Sequence, residues 1–375
     1  MAGSSSTTRC LAAGAIGLAM TATLPAAAAM AGGSGAEVEP TPPTARAAAF
    51  NAASFTAPDD GWAVGTIGEL SGSGFDTLIE HWNGTAWELV PTPAIMYSNE
   101  YLTGVVAFGS DDAWAVGRQD RYGYSADLPM LFRWDGLKWS TVTAPGSAIP
   151  SAIGGSGPDD VWAVGRNVLQ HFDGTAWISV TPPRADASLN SVTVLSPDDA
   201  WVGGTVPDRR SGYDRTAHPF LAHWDGTSWS RVGVPHPRTD ARVASVSASS
   251  SSDVWAVGSA AASTTERGGT FALHFDGTRW HRVKSPNRGA ENALSGIVAA
   301  SATEAWAVWH RDGYTQAGSA VWRTLIERWD GTRWEVVASP NDSDLDNYLT
   351  SVAVGDGITW ALGGDGGTLA ERIDR

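Results

Sequence analysis

Asp59-Asp60-Gly61-Trp62-Ala63-Val64-Gly65 is followed by His81-Trp82-Asn83-Gly84-Thr85-Ala86-Trp87, and this pair of motifs decides the reading of the chain. The first recurs, with substitutions, around Trp114, Trp162, Trp201, Trp255, Trp306 and Trp360. The second recurs around the turns that end at Trp139, Trp177, Trp229, Trp280 and Trp334. Successive Trp residues of the first motif lie 39 to 54 residues apart, a period that holds four short strands.

Each unit reads as such a set of strands. The first carries a Leu-x-x-Val pattern, as in Leu102/Val105, Leu189/Val192, Leu294/Ile297 and Leu349/Val352. The second is Trp-Ala-Val-Gly. The third ends at the aromatic before Asp-Gly, and the fourth runs from the second Trp to a Pro, as in Trp87 to Pro93. Asp-Gly between the last two is a hairpin signal, because a tight primed turn needs positive φ and Gly supplies it. Helical periodicity is absent, while β-branched and aromatic residues recur at strand length. The fold class expected is all-β, a seven-bladed β-propeller. The last unit stops after its third strand, at Thr368 to Asp374, but Glu37-Val38-Glu39-Pro40-Thr41-Pro42 echoes Glu88-Leu89-Val90-Pro91-Thr92-Pro93. An N-terminal strand that completes the C-terminal blade closes the ring and removes exposed edges; Val38 is expected to pair beside Leu369.

On these motifs the chain resembles the Trp-rich propeller repeats of exported actinobacterial proteins and, more distantly, WD, kelch and Asp-box propellers. The resemblance spans roughly Glu37 to Arg375 and implies a fold more than an activity, since that family is mostly without one. The turn Trp224-Asp225-Gly226-Thr227-Ser228-Trp229 departs from a true Asp-box, in which Asp and Gly are separated, and this weakens any transfer of sialidase chemistry.

Residues present in every unit belong to the frame. Of the 19 Trp, seven sit in the second strands, six start the fourth, and Trp82, Trp134, Trp224 and Trp329 precede the turn. His81, Arg133, His171, His223, His274, Arg328 and Arg372 share one third-strand position and read as structural donors to the repeated Asp residues rather than as a metal site. The pairs Asp59/Asp60, Asp111/Asp112, Asp159/Asp160 and Asp198/Asp199 read as turn chemistry, not catalytic carboxylates. Asp342-Ser343-Asp344-Leu345-Asp346 alternates acids like a calcium loop but lacks its Gly and closing Glu.

Only Trp309 and Trp322 fall outside the frame. Connections between strands two and three, and between blades, emerge on one face and vary in length, so function is expected there. Three predicted loops in alternate blades share Arg, Asp and Gly-Tyr: Asp120-Arg121-Tyr122-Gly123-Tyr124, the stretch from Arg209 to Arg215, and His310-Arg311-Asp312-Gly313-Tyr314. Tyr124, Arg121, Tyr213, Arg210, Trp309, His310, Arg311, Tyr314 and Trp322 are the candidate ligand-binding residues, with Tyr101 and Tyr348 among those extending the patch. Aromatic faces with Arg and Asp suit a glycan, and equally a protein interface. The leading expectation is a secreted, non-catalytic binding protein for a glycan or an exported or cell-surface protein. The alternative is a glycosidase or polysaccharide lyase using His310, Arg311, Asp312 and Tyr314 near the propeller axis. No Ser/His/Asp spacing, P-loop or His-Glu-x-x-His motif is present, and neither cofactor nor metal is expected.

Residues 1–31 read as a signal peptide, with Arg9 before an apolar run from Leu11 to Leu24 and small residues at Ala27-Ala28-Ala29 or Ala29-Met30-Ala31. Residues 32–375 then form a single domain without cysteine, because Cys10 is the only one. Disulfides and thiol catalysis are excluded. A net charge of −15 opposes nucleic-acid partners, and no other stretch approaches a membrane-spanning length.

Overall fold

The computed structural model describes residues 35–68, 74–93, 95, 98–121, 126–207, 217–237, 239–261, 268–287, 292–314, 318–341, 344–355 and 357–374. Seven four-stranded antiparallel sheets account for its strands, and no helix occurs among the described residues. The innermost strands Ala47–Ala57, Ser98–Gly109, Pro150–Gly157, Ser188–Ser196, Ala241–Ser250, Gly296–Ser301 and Tyr348–Gly355 each pack against the next, and the last packs against the first. The result is a seven-bladed β-propeller.

Closure occurs as the sequence echo suggests. Glu37–Glu39 pairs antiparallel with Thr368–Asp374, with Val38 opposite Glu371 and Glu39 opposite Ala370. Val38 therefore lies two residues further along that strand than Leu369. The seventh blade takes three strands from one end of the chain and its outer strand from the other, so no blade is left with three strands.

Aromatic packing between blades explains the Trp repeat. Trp62 of the first blade meets Trp139 of the second edge to face at 5.1 Å and Trp134 at 4.9 Å. Trp114, Trp162, Trp201, Trp255 and Trp360 repeat this arrangement against the next blade. Edge-to-face geometry lets an indole edge meet a π face, which suits the many second- and fourth-strand indole N–H groups that have no hydrogen-bond acceptor. The exception is the sixth interface, where Trp306 packs among Ile373, Val352 and Leu349 because the seventh blade carries no third- or fourth-strand Trp.

Over the second-strand Trp of the first six blades lies the repeated His or Arg. The His171 ring stacks on Trp162 at 4.2 Å and its Nε2 bonds Asp160 at 2.7 Å. His81, His223 and His274 bond Asp60, Asp199 and Asp253, while Arg133 and Arg328 pair with Asp112 and Glu304. Arg372 instead pairs with Asp374, since Ile358 stands where the other blades have an acid. One expectation needs refinement: acceptance of turn N–H groups belongs to the acid of the Asp-Gly turn, not to the Asp-Asp pair. Asp225 Oδ1 accepts from Thr227 N at 2.9 Å, Thr227 Oγ1 at 2.7 Å and Ser228 N at 2.8 Å, which holds its carboxyl at about 2. The first Asp of each pair packs on that turn. At Gly226, φ is +87° and a Cβ would come within 2.7 Å of the Asp198 Cβ, so only Gly fits.

Small polar residues tie the inner strands together. Asn51 donates to Leu102 O at 2.7 Å, Asn190 to Val243 O at 2.9 Å and Thr350 to Phe50 O at 2.7 Å. They surround an axial channel of about 230 Å³ whose lining includes no acidic, basic, His or Tyr side chain.

Candidate ligand-binding face

The sixth blade departs from the frame at one residue. Six second strands have Gly three positions after the Trp, and a Cβ there would press on a first-strand carbonyl, at 1.9 Å from Ala49 O for Gly65 and from Tyr101 O for Gly117. Trp309 occupies this position in the sixth blade. Its side chain forbids that approach, and the first strand responds: its continuous pairing starts at Gly296 opposite Val308, leaving Leu294 of the Leu-x-x-Ile signature outside the strand. Beyond the interruption Asn292 still bridges Arg311, and the second and third strands continue outward as a hairpin.

His310 to Tyr314, expected as a loop, is therefore strand. Glu304–Tyr314 pairs with Ala320–Trp329, with Asp312 opposite Trp322 and Tyr314 opposite Ala320. The Gly-Tyr signal precedes the reversal instead of forming it. Paired residues share a face and neighbours alternate, so His310, Asp312, Tyr314 and Trp322 lie together while Arg311 and Arg323 occupy the other face. The alternative set of His310, Arg311, Asp312 and Tyr314 is thus divided between two faces of one hairpin, and none of the four lines the axial channel.

On the first of these faces the rings form a stack. His310 lies parallel to Trp322 at 4.3 Å with a 15° tilt, and Trp309 touches His310 at 4.5 Å. Burial holds the His310 imidazole down at about 4, against the opposing pull of Asp312 and Asp346, so it is neutral at physiological pH. Trp322 is 44% exposed, and Tyr314 72%. The connection into the seventh blade fixes Trp322 from its edge: its N–H donates to Asp346 Oδ1 at 2.8 Å, and its carbonyl accepts from Asn347 N at 3.0 Å. Asp312, Tyr314, Trp322 and Asp346 line a pocket of about 440 Å³.

Tyr348 joins this pocket to a second one. Its ring meets Trp322 edge-on at 6.3 Å and forms one wall of an apolar pocket of about 470 Å³. Ala47, Ala48 and Ala49 contribute there, with Phe75 and Tyr101, whose rings touch at 5.3 Å. The Ala run carries no sequence signal for a site; small side chains make the space and the aromatics border it. Arg118 lies over Tyr101 at 4.4 Å and pairs with Asp127 at 2.7 Å.

Of the other candidates, Arg121 ends the strand Asp112–Arg121, while Tyr124, Arg210 and Tyr213 lie outside the described residues. The structure brings His310, Tyr314 and Trp322 together and sets Arg311 apart. Asp346, Tyr348, Phe75 and Tyr101 complete the face. Among the described residues, no group of three or more His, Cys, Asp or Glu could hold a metal ion, and no helix is long and apolar enough to cross a membrane.

No protein-family model matches the chain, and no curated protein matches it significantly. Solved structures do match over nearly its full length. YCF48 in a structure with D1 peptide is 16% identical and aligns with a TM-score of 0.57 over 91% of this chain and 95% of its own. YCF48 from Cyanidioschyzon merolae, also 16% identical, gives 0.56 over 91% and 99%. The Dos1 propeller gives 0.55 at 9% identity, over 90% and 95%. At such identities the likeness is one of fold: this chain shares a propeller architecture.

Proposed function

We propose that the chain is an exported, non-catalytic recognition propeller whose variable face takes a glycan or another exported or cell-surface protein. The observation that carries this reading is Trp322, a large aromatic held half-exposed by a parallel His310 ring and two backbone bonds, which lines one pocket and touches Tyr348 in the wall of a second. An aromatic fixed in this way loses little freedom on binding, which is what a recognition surface needs. Export rests on the leader-like residues 1–31. The D1 peptide in the YCF48 structure supports partner binding by a similar fold, without indicating which partner this chain takes.

Glycan and peptide arrays probed with the parent protein and three variants test the reading. Trp322→Ala and Phe75→Ala are expected to weaken binding about tenfold each, as truncation of an interface anchor does. Leu137→Ala, at the exposed turn between third and fourth strands on the opposite face, is expected to leave binding unchanged. Loss through Leu137→Ala with both variable-face variants unaffected would place the site on the wrong face.

A further inference from the structure

We infer that the occupant of this face is an extended segment of a partner polypeptide that seats an apolar side chain between Phe75, Tyr101 and Tyr348 and lays a neighbouring Lys or Arg over Trp322, between Asp312 and Asp346. The inference rests on the variable-face reading above and names the ligand class for it.

The two pockets ask for different groups. The one bordered by Ala47, Ala48 and Ala49 with three aromatic rings offers mainly apolar walls, and its volume of about 470 Å³ accommodates a Leu- or Phe-sized side chain with room to spare. The pocket beside it pairs an indole face with carboxylates and includes neither Lys nor Arg in its lining. A cation over an indole face is attracted by the ring quadrupole, and flanking carboxylates add to the attraction.

Among the described residues that line the two pockets there is neither Lys nor Arg. Asp312 and Asp346 act on His310, and Asp346 and Asp365 act on Tyr348, whose phenol is raised by burial and then by these two carboxylates. Of the arginines nearby, Arg118 pairs with Asp127, Arg46 with Asp76, Arg323 bonds the carbonyls of Leu345 and Tyr314, and Arg311 lies on the other face of the hairpin. His310, behind Trp322, carries no charge at neutral pH and so does not repel a cation on the opposite side of the indole. A neutral sugar would use the indole but leave the negative field without purpose, and an acidic sugar would be repelled by it. Tyr348 forms a wall of the apolar pocket and touches Trp322, so both groups can come from one short segment.

The test uses the whole protein on an array of random peptides of about twelve residues, an extended length that spans both pockets, with neutral and acidic oligosaccharides in parallel. Bound peptides are expected to be enriched in Lys or Arg within a few residues of Phe, Leu or Tyr. Binding of these peptides is expected to fall about tenfold in the double variant Asp312→Asn with Asp346→Asn, and to weaken as salt rises, as charge-assisted contacts do. Asn at 346 keeps the acceptor for the Trp322 N–H, and Trp322→Phe keeps a ring should Trp322→Ala fold poorly; Phe is expected to retain part of the binding. Bound peptides without a basic preference, or an Asn double variant that binds them as well as the parent, would overturn the inference. Oligosaccharides bound through Trp322, with no peptide retained, would overturn it and leave the variable-face reading standing. Binding indifferent to Trp322, Phe75 and Asp346 alike would remove both.

Discussion

At the residue scale, the frame is a small unit written several times: a Trp in the second strand, a His or Arg over its ring, and an acid that holds the His or Arg. Asp253 is 4% exposed and bonds His274 at 2.6 Å. Replacing it with Asn removes the charge-assisted part of that bond, and a loss of about 1–3 kcal/mol is expected by chemical denaturation. This unit is legible in the sequence because it repeats. Less legible are the buried carboxyls at the neighbouring third-strand position, where Glu80, Glu327 and Glu371 stand and the other blades have Phe132, Gln170, Ala222 and Leu273. Burial pushes Glu80 and Glu371 up to about 8 and Glu327 to about 7, even though Ser285 and Ser339 donate to the latter pair. Their folded values lie above the ordinary 4.5, so between that value and about 8 the folded chain keeps protons that the unfolded chain releases. Their effect on stability is therefore most favourable below about pH 4.5 and is progressively lost as pH rises to 8, by at most about 1.4 kcal/mol per carboxyl and pH unit. His310 acts oppositely, its depressed value favouring the fold as pH rises from about 4 to 6.5. Melting curves between pH 5 and 8 are expected to show a net fall in Tm with pH, and Glu80→Gln is expected to flatten it. A Glu80→Gln curve parallel to that of the parent would contradict this assignment.

At the element scale, one substitution reshapes a blade. Gly117 admits the carbonyl of Tyr101, and Gly117→Ala is expected to cost more than about 3 kcal/mol, because the added methyl meets rigid backbone. Trp309→Gly removes the obstacle in the sixth blade, and its first strand is expected to extend toward Leu294. A crystal structure of the variant would show Leu294 paired opposite position 309; a first strand still interrupted there would contradict this. The sequence displays this departure as Trp-Ala-Val-Trp in place of Trp-Ala-Val-Gly, yet its consequence is a matter of backbone distance, which no motif carries. For the same reason the stretch His310 to Tyr314 resembles a loop: its Arg, Asp and Gly are turn residues, and the strand they join is set by Val321, Trp322 and their partners across the hairpin. The apolar pocket was less legible still, since it is made of Ala side chains and of aromatics from three blades.

At the scale of the whole molecule, the ring depends on an outer strand of three residues, Glu37–Glu39, and on the one blade interface without a Trp pair. Cleaving the chain after Thr41 is expected to expose the edge of Thr368–Asp374 and to speed exchange in the seventh blade before the fourth, with an earlier melt. The split repeat made this closure legible, since Glu37 to Pro42 repeats the fourth-strand motif. The binding face follows from what the ring leaves over. Of the 19 Trp, only Trp309 and Trp322 lie outside the frame, and the structure places Trp322 at the surface. The most direct test of this account is an indole N–H NMR spectrum of the whole protein, titrated with the peptides selected on the array. The account predicts that the Trp322 signal shifts strongly and that the frame indoles, such as those of Trp62, Trp162 and Trp255, stay in place; a titration that moves frame indoles and leaves Trp322 unchanged would contradict it.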